Sequence, residues 1–578
     1  MKNKNVKIRI INNTLKDHNG DIIAVNRKPW ERYNRKNIIL EAKKGSTILE
    51  VIKAYNIKMH YPIIASKIDN IIKELNTPIN KDCRIELLDL QDRDGVRIYR
   101  RGVEFIMVMA VRELIVDADP VLLHSLSRGV YCELQGLKKI DRSVVNRIEA
   151  RMKQIVKADL PFIKKQYSKE LASEFFELDG QLDKVKLFKY RKKKTIFLYT
   201  CGSTTDYFYG YMPSSTGMLN IFKLRYYPPG MILTYPERQT PQEISVFIDN
   251  KQLADVLIES KKWAKIMEVP NVGSLNDIIT LGGSTDLIQV AEALHEKKTA
   301  QIADMIYQRK NRVKLVLIAG PSSSGKTTFS KRLITQLRVL GLKPLSISTD
   351  DFFLDREKTP KDENGQYDFE SINAIDIELF NSVLIELIEG KKIRMPVFNF
   401  SKGKREICKD NVCLLPDQLI IVEGIHALNE RLTSHILKEN KFKIYISALT
   451  QVNLDNHNRI HTTDVRLIRR TVRDYNFRSH SAEDTLAMWD SVRSGEEKYI
   501  FPFQEEADVM FNSALVYELS VLKKFAVPLF KKIKRSSKNY SEAKRILSFL
   551  NYFREVNSKD VPNNSILREF IGKEKIKY

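Results

Sequence analysis

Residues 314–330, KLVLIAGPSSSGKTTFS, combine residue types that bind the phosphates of a nucleotide. They fit the pattern G-x-x-x-x-G-K-[ST] at every defined position. Glycines let a loop wrap closely around phosphates, while N–H groups of the loop and the following helix point at the anion. Lys326 should reach the β- and γ-phosphates, and the Thr327 hydroxyl should hold Mg²⁺. The expected ATP-binding residues are Gly320, Pro321, Ser322, Ser323, Ser324, Gly325, Lys326, Thr327 and Thr328.

Acidic residues follow two short apolar runs further along the chain. Asp350 and Asp351 come after residues 343–349, and Glu423 comes after residues 418–422. Phosphoryl transfer to a hydroxyl needs one carboxylate that accepts the proton and a second that helps to hold Mg²⁺. We expect Asp350 to be the catalytic base, with Asp351 as the alternative, and Glu423 to be a metal ligand beside Thr327.

A third group consists of arginines at three- and four-residue spacing, namely Arg466, Arg469, Arg470 and Arg473. On a helix this spacing places several of them on one face. The planar guanidinium group suits phosphate oxygens and would neutralise charge that develops during transfer. The alternative is a solvated basic helix with ion pairs to Asp464 and Asp474.

These residues need a scaffold that brings them together. Apolar runs at 315–319, 343–349, 418–422 and 443–449 alternate with helical patterns, which predicts a mostly parallel sheet covered on both faces. Ligands of such sheets bind beyond the carboxyl ends of the strands. The phosphate loop and both acidic positions lie just past such ends.

Five segments in this part occur in the order and spacing of the uridine kinase/phosphoribulokinase-like P-loop kinases: GPSSSGKTT, ISTDDFF, YDFESINAID, IIVEGIHAL and RLIRRTVRD. The resemblance covers residues 313–522. It implies that Asp350 is the base, that Glu423 binds Mg²⁺ and that Glu370 contacts a nucleoside. It also implies a lid of arginines over the phosphates, made by Arg470 and Arg473 with Arg478 nearby.

The resembling enzymes carry V-Y-D-F and a following His where they contact the pyrimidine. This chain has Phe398 at the tyrosine position and Gly403 at the position of the His. Buried hydrogen-bonding groups discriminate strongly between bases, so their loss argues against assuming uridine as the acceptor. Phe398 stays a predicted substrate contact.

The N-terminal half resembles two other modules. A strand–helix–strand pattern ending in IELLDLQDRDGVRIYRR resembles the TGS domain, a ubiquitin-like β-grasp module. The following helix and HSLSRGVYCEL resemble the second additional domain of threonyl-tRNA synthetase. Its H-x-x-x-H positions fall on Arg101 and Phe105, so the resemblance implies the fold and not the editing chemistry. His124 is expected to be a structural hydrogen-bonding residue, and residues 199–219 either line a pocket or form a turned β-segment.

The predicted organisation is multi-domain, α/β and α+β. We expect an N-terminal extension (1–36), a TGS-like β-grasp domain (37–90), a synthetase-like α+β region (91–285), a P-loop kinase domain (286–535) and a C-terminal helical segment (536–578).

The overall composition limits which partners and which cellular compartment are expected. The 578 residues carry a net charge of +24, but basic and acidic residues are interleaved, which favours an ordinary surface over a dedicated nucleic-acid face. Five scattered cysteines indicate a reducing compartment, so we expect a cytoplasmic protein. No apolar run approaches membrane-spanning length, and no membrane partner is expected.

The predicted function is ATP- and Mg²⁺-dependent phosphorylation of a nucleoside, at its 5′-hydroxyl. The alternatives are a kinase of another small sugar or sugar phosphate, and an RNA-associated regulatory NTPase. The TGS-like and synthetase-like regions and the net charge motivate the last of these. An oligomer is compatible with the sequence.

Overall fold

The computed structural model describes residues 5–11, 15–16, 22–24, 38–137, 139–361, 365, 367–399, 402–415 and 418–575. Within these ranges, no helix is both long enough and apolar enough to cross a bilayer.

The first sheet has five strands in the order β4-β1-β7-β5-β6. β1 pairs antiparallel with β4 and parallel with β7, and its Val6, Ile8 and Ile10 are buried in the core of this sheet. The sheet therefore begins before residue 37, where the sequence prediction started it. The elements are β1 (Asn5–Ile10), β2 (Leu15–Lys16), β3 (Ile22–Ala24), β4 (Ile38–Lys43), α1 (Ile48–Ala54), β5 (Ala65–Ile68), β6 (Ile71–Lys73) and β7 (Cys83–Leu88).

The middle region is built around a long helix, α2, most of whose last two-thirds is buried. The same region contains a four-stranded sheet in the order β13-β14-β9-β8 and a three-stranded sheet in the order β10-β11-β12. The elements are α2 (Arg93–Leu114), β8 (Asp119–Leu126), β9 (Gly129–Gln135), α3 (Arg142–Lys157), β10 (Ile163–Ser168), α4 (Lys169–Leu178), α5 (Leu182–Lys189), β11 (Thr195–Cys201), β12 (Thr204–Asp206), β13 (Lys223–Tyr227), β14 (Gly230–Thr234), α6 (Lys251–Ile266) and α7 (Val272–Thr280).

A fully parallel five-stranded sheet, β16-β19-β15-β20-β21, forms the next region and confirms the predicted fold class. The central strand β15 leads into the phosphate loop, and its neighbours β19 and β20 arrive later in the chain. The elements are α8 (Ser284–Gln308), β15 (Leu315–Ala319), α9 (Lys326–Val339), β16 (Leu345–Ser348), α10 (Ile377–Ile388), β17 (Ile393–Asn399), β18 (Lys404–Val412), β19 (Ile420–Glu423), β20 (Lys441–Ser447), α11 (Thr462–Phe477), α12 (Ala482–Tyr499) and β21 (Val509–Asn512).

The last helices are α13 (Glu518–Lys531), α14 (Tyr540–Leu550) and α15 (Arg568–Ile571). α13 continues through Pro528. Its buried face, which includes Leu529 and Phe530, extends past the proline and holds the final turn on the core. Residues 556–575 then return to the phosphate loop.

Candidate active site

The phosphate loop joins β15 to α9, and two glycines make its path feasible. A side-chain carbon at Gly320 would lie 2.0 Å from the carbonyl oxygen of Ile446 on β20. Gly325 has φ of +86°, a left-handed conformation that side chains other than glycine adopt at a cost. Both glycines of the sequence motif are thus required by geometry.

Lys326 and Thr327 begin α9 at the carboxyl ends of the central strands. The Lys326 ammonium group donates to the carbonyl oxygens of Gly320 at 3.0 Å and Pro321 at 3.4 Å, and burial lowers its pKa. The Thr327 hydroxyl donates to Glu423 at 2.9 Å. Glu423 ends β19, which pairs with β15, so parallel pairing brings these two predicted metal ligands together.

A cavity of about 360 Å³ opens in front of the loop. It collects predicted residues that lie far apart in the sequence, namely Ser322, Ser323, Gly325, Lys326, Thr327, Asp350, Glu370, Phe398, Glu423, Arg470, Arg473 and Arg478. Gly320, Pro321, Ser324 and Thr328 belong to the loop or the start of α9 but do not line this cavity.

Four carboxyl groups line the cavity, those of Asp350, Glu370, Glu423 and Glu569. Burial raises the pKa of Asp350, although the Lys326, Arg478 and Arg473 charges oppose the shift. Burial also raises the pKa of Glu370 and that of Glu423, each to about 7. Such a set of desolvated acids needs cations to become fully ionised.

The residues at this position fit a magnesium ion. Mg²⁺ takes oxygen ligands and is commonly held by one or two protein groups together with phosphates and waters. The Thr327 hydroxyl and the Glu423 carboxylate supply two adjacent oxygens of this kind.

Helix α11 reaches the cavity with only some of its arginines. Arg470 donates to the hydroxyl of Ser322 in the loop at 2.8 Å and to Asp474 at 3.1 Å. Arg473 donates to the other oxygen of Asp474 at 2.8 Å, and Arg478 lies 3.8 Å from the same oxygen. One aspartate thus groups the three predicted cations at the cavity wall.

Arg466 and Arg469 have a different place. Both are buried, and they bond to Glu496 at 2.8 Å and Glu518 at 2.7 Å respectively. Glu496 also accepts from the backbone N–H of Ser322 at 3.2 Å. These pairs connect α11, α12 and α13 to the phosphate loop. The two acids, Glu496 and Glu518, belong to no sequence motif, so the sequence alone did not predict them.

One part of the cavity wall is apolar. Phe353, Phe369 and Phe398 line it, and the rings of Phe353 and Phe398 lie 5.7 Å apart, edge to face. Asp351, the alternative base, accepts from the backbone N–H of Phe398 at 3.3 Å and does not line the cavity. Asp350 is the member of the pair that faces the phosphate loop.

Residues 315–520 match the Phosphoribulokinase / Uridine kinase family. A uridine kinase of Ligilactobacillus salivarius is 27% identical over 203 residues, which cover 35% of this chain and 86% of that enzyme. A solved structure described as a possible uridine kinase from Bacillus stearothermophilus is 18% identical, with a TM-score of 0.24, over 37% of this chain and 98% of that one.

The N-terminal part matches another class of protein. A threonine–tRNA ligase of Symbiobacterium thermophilum is 29% identical over 187 residues, or 32% of this chain. The chain spans only 29% of that ligase's length. The protein therefore contains a domain of the phosphoribulokinase/uridine kinase family fused to a region that matches segments of threonine–tRNA ligases.

Proposed function

We propose that this chain is an ATP- and Mg²⁺-dependent kinase that transfers the γ-phosphate to a hydroxyl of a nucleoside, at the 5′ position. One observation carries the proposal: Asp350 and the arginines of α11 line the same cavity as Lys326 and the Thr327–Glu423 pair. A phosphate loop alone would serve any nucleotide-binding protein. The added carboxylate supplies the group that a hydroxyl acceptor requires.

The roles follow from position. The loop N–H groups and Lys326 hold the ATP phosphates, and Thr327 with Glu423 would hold Mg²⁺, which neutralises charge on those phosphates. Asp350 accepts the proton of the acceptor hydroxyl. Its raised pKa makes it a stronger base than an exposed aspartate, provided that it is ionised when the acceptor binds. Arg470 and Arg473 stabilise the transferring group, with Arg478 beside them.

The acceptor side supports a compact ligand with an apolar face. The rings of Phe353, Phe369 and Phe398 fit a planar base, while Glu370 can accept hydrogen bonds from sugar hydroxyls. Phe398 and Gly403 lack side-chain groups that could hydrogen-bond to a pyrimidine, so the proposal does not specify which base the nucleoside carries.

The deciding experiment incubates the full chain with ATP, Mg²⁺ and a panel of purine and pyrimidine nucleosides, followed by mass detection of monophosphates. We expect one or more 5′-monophosphates, and none with the Lys326→Ala variant. If every nucleoside stays unmodified, the nucleoside assignment fails. The same assay with small sugars and sugar phosphates then tests the other acceptor class.

A regulatory NTPase that binds RNA is the second candidate, favoured by the N-terminal match and the net charge of +24. It predicts RNA binding with a steep salt dependence and no phosphorylated small molecule. Cys83, Cys132, Cys201 and Cys413 are free thiols, which fits the cytoplasmic location that we propose under either function.

A further inference from the structure

A second cavity, of about 500 Å³, lies away from the phosphate loop. Its walls come from many separate parts of the chain, among them α2, β11, the residues after β12, the residues before α11, and α14. Tyr199 and residues 207–211 line it, while residues 199–206 form the antiparallel turn between β11 and β12, so the segment shows features of both predicted alternatives. The volume of the cavity is in the range of sites for small molecules.

The lining is strongly cationic. Ten lysine or arginine side chains line the cavity, against three aspartate or glutamate side chains. Some are neutralised locally, since Arg545 bonds to Asp464 at 2.7 Å and Arg97 bonds to Glu542 at 2.7 Å. The remaining cations have fewer counter-charges.

Arg100, Arg101 and Arg459 form a weakly compensated group away from the exposed rim of the cavity. Glu104, 3.4 Å from Arg100, is the one carboxylate paired with this trio among the described residues. Arg101 donates to the carbonyl oxygen of Tyr211 at 2.6 Å, and its pKa falls to about 10 because of burial and the Arg100 charge. Burying cations without anionic partners is unfavourable, so this trio favours an added anion.

His461 shows the same lack of acceptors. Its Nε2 lies 2.5 Å from Arg100 and its Nδ1 lies 2.8 Å from Arg459. A neutral imidazole offers one lone pair, so one guanidinium group meets a ring N–H. Within the described part of the chain, the buried Nη1 of Arg459 also has no hydrogen-bond partner. An anionic oxygen at this point would supply the missing acceptor.

The rest of the lining is aromatic. Eight phenylalanine or tyrosine side chains line the cavity, including Tyr209 and Tyr211 beside the arginines. At its rim Lys193 and Lys544 are exposed. Guanidinium groups suit phosphate oxygens, and tyrosine rings suit the flat face of a base.

We propose that this second cavity binds a nucleoside monophosphate, with its phosphate among Arg100, Arg101 and Arg459 and its base against the tyrosine rings. The enclosing walls and the volume fit one nucleotide. The terminal nucleotide of an RNA would offer the same chemistry, and the test separates the two sources. The site lies at the first turn of α11, the helix that later carries Arg470 and Arg473 to the phosphate loop.

The test is isothermal titration calorimetry of the full-length Lys326→Ala chain with AMP, GMP, CMP and UMP. The substitution removes the main contribution of the phosphate loop to nucleotide binding. We expect at least one of these mononucleotides to bind. Adding Arg459→Gln or Arg101→Gln to the Lys326→Ala chain should weaken that binding by about tenfold or more. Circular dichroism confirms that these variants fold.

If the buried substitutions unfold the protein, the double variant Lys193→Ala/Lys544→Ala replaces them, because both side chains are exposed. Its matched control is Lys194→Ala, an exposed neighbour outside the lining. The proposal is overturned if no mononucleotide binds, if all variants that fold bind as the Lys326→Ala chain does, if inorganic phosphate binds equally well, or if only an RNA oligonucleotide binds. None of these outcomes depends on kinase activity.

Discussion

Glu569 accepts a hydrogen bond from the hydroxyl of Thr328 at 3.0 Å, although the two residues are 241 positions apart. It also lies 3.4 Å from the backbone nitrogen of Thr328, in the first turn of α9. Glu574 reaches the same hydroxyl at 3.3 Å. The C-terminal residues therefore place negative charge at a helix N-terminus that the sequence motif reserves for phosphate.

Glu569→Gln should strengthen ATP binding. The carboxylate lines the proposed active-site cavity, and it repels a nucleotide's phosphates. Glutamine keeps an oxygen that accepts from Thr328 but removes the charge. Two charges a few ångströms apart near a protein surface interact measurably, so we expect the KM for ATP to fall by roughly threefold to tenfold, less at high salt.

The control is Glu555→Gln, which removes one negative charge from an exposed position outside the cavity. Steady-state kinetics at two salt concentrations compare the variants. An unchanged or higher KM for ATP in Glu569→Gln would show that the carboxylate does not oppose the nucleotide.

Asp350→Asn should abolish most of the phosphoryl transfer while leaving ATP binding nearly intact. The amide cannot accept the hydroxyl proton, and a positioned general base contributes about 10²- to 10⁴-fold to a rate. Asp351→Asn is the matched control, because Asp351 bonds to the backbone of Phe398 instead of lining the cavity. Near-normal kcat in Asp350→Asn, with a large loss in Asp351→Asn, would exchange the two assignments.

Much of this site could be predicted because its parts follow rules of local sequence. The loop from Gly320 to Thr327 carries a defined spacing, and Asp350 and Glu423 come directly after apolar runs. Parallel pairing then brings those strand ends to one edge of the sheet. The parallel sheet itself follows from alternating strand and helix patterns.

Other contacts depend on tertiary packing and have no local signature. Glu496 and Glu518 are acids within ordinary amphipathic helices, and only the folded chain shows them buried against Arg466 and Arg469. The same holds for Glu569, which reaches the loop from the C-terminal segment. Spacing predicted that several of the four arginines of α11 share one face, and burial separates the four into two pairs.

This separation predicts that substitutions at two arginines of α11 affect different properties, the rate of transfer in one case and the stability of the fold in the other. Arg470→Ala should lower kcat by on the order of 10³-fold, since it removes a cation that is proposed to stabilise the transferring phosphate, with little change in thermal stability. Arg466→Ala should instead destabilise the fold by about 3 kcal/mol, because the buried Glu496 loses its bonds to Arg466 and keeps only Arg493, at 3.0 Å, as a cationic partner. Denaturant unfolding and kinetics on both variants measure the contrast. Comparable stability losses would mean that Arg470 is structural.

Phe398→Ala should weaken binding of the acceptor and leave ATP binding unchanged. The ring lines the apolar part of the active-site cavity and contacts Phe353. Losing a hydrophobic contact of this kind should raise the KM for the acceptor by roughly tenfold or more. Phe477→Ala, at an exposed ring outside the cavity, is the control. A selective rise in the KM for ATP would contradict the assignment of this wall to the acceptor.

The stability of the protein without metal should depend on pH through Glu423. Burial raises its pKa from 4.5 to about 7, so the folded chain keeps a proton that the unfolded chain has already released. Between these values the unfolded state binds fewer protons, and the contribution of this group to the free energy of unfolding falls as pH rises.

Glu423→Gln removes that dependence while retaining an oxygen that can accept from Thr327. Relative to the wild type, the variant should therefore gain stability at about pH 8, on the order of 1 kcal/mol, and little at about pH 5. Denaturant unfolding in the presence of a chelator measures the difference at both pH values. The same variant should lose Mg²⁺-dependent activity, because the carboxylate proposed to hold the ion is gone. Equal effects at both pH values would show that Glu423 is ionised throughout, and that Lys326 already neutralises it.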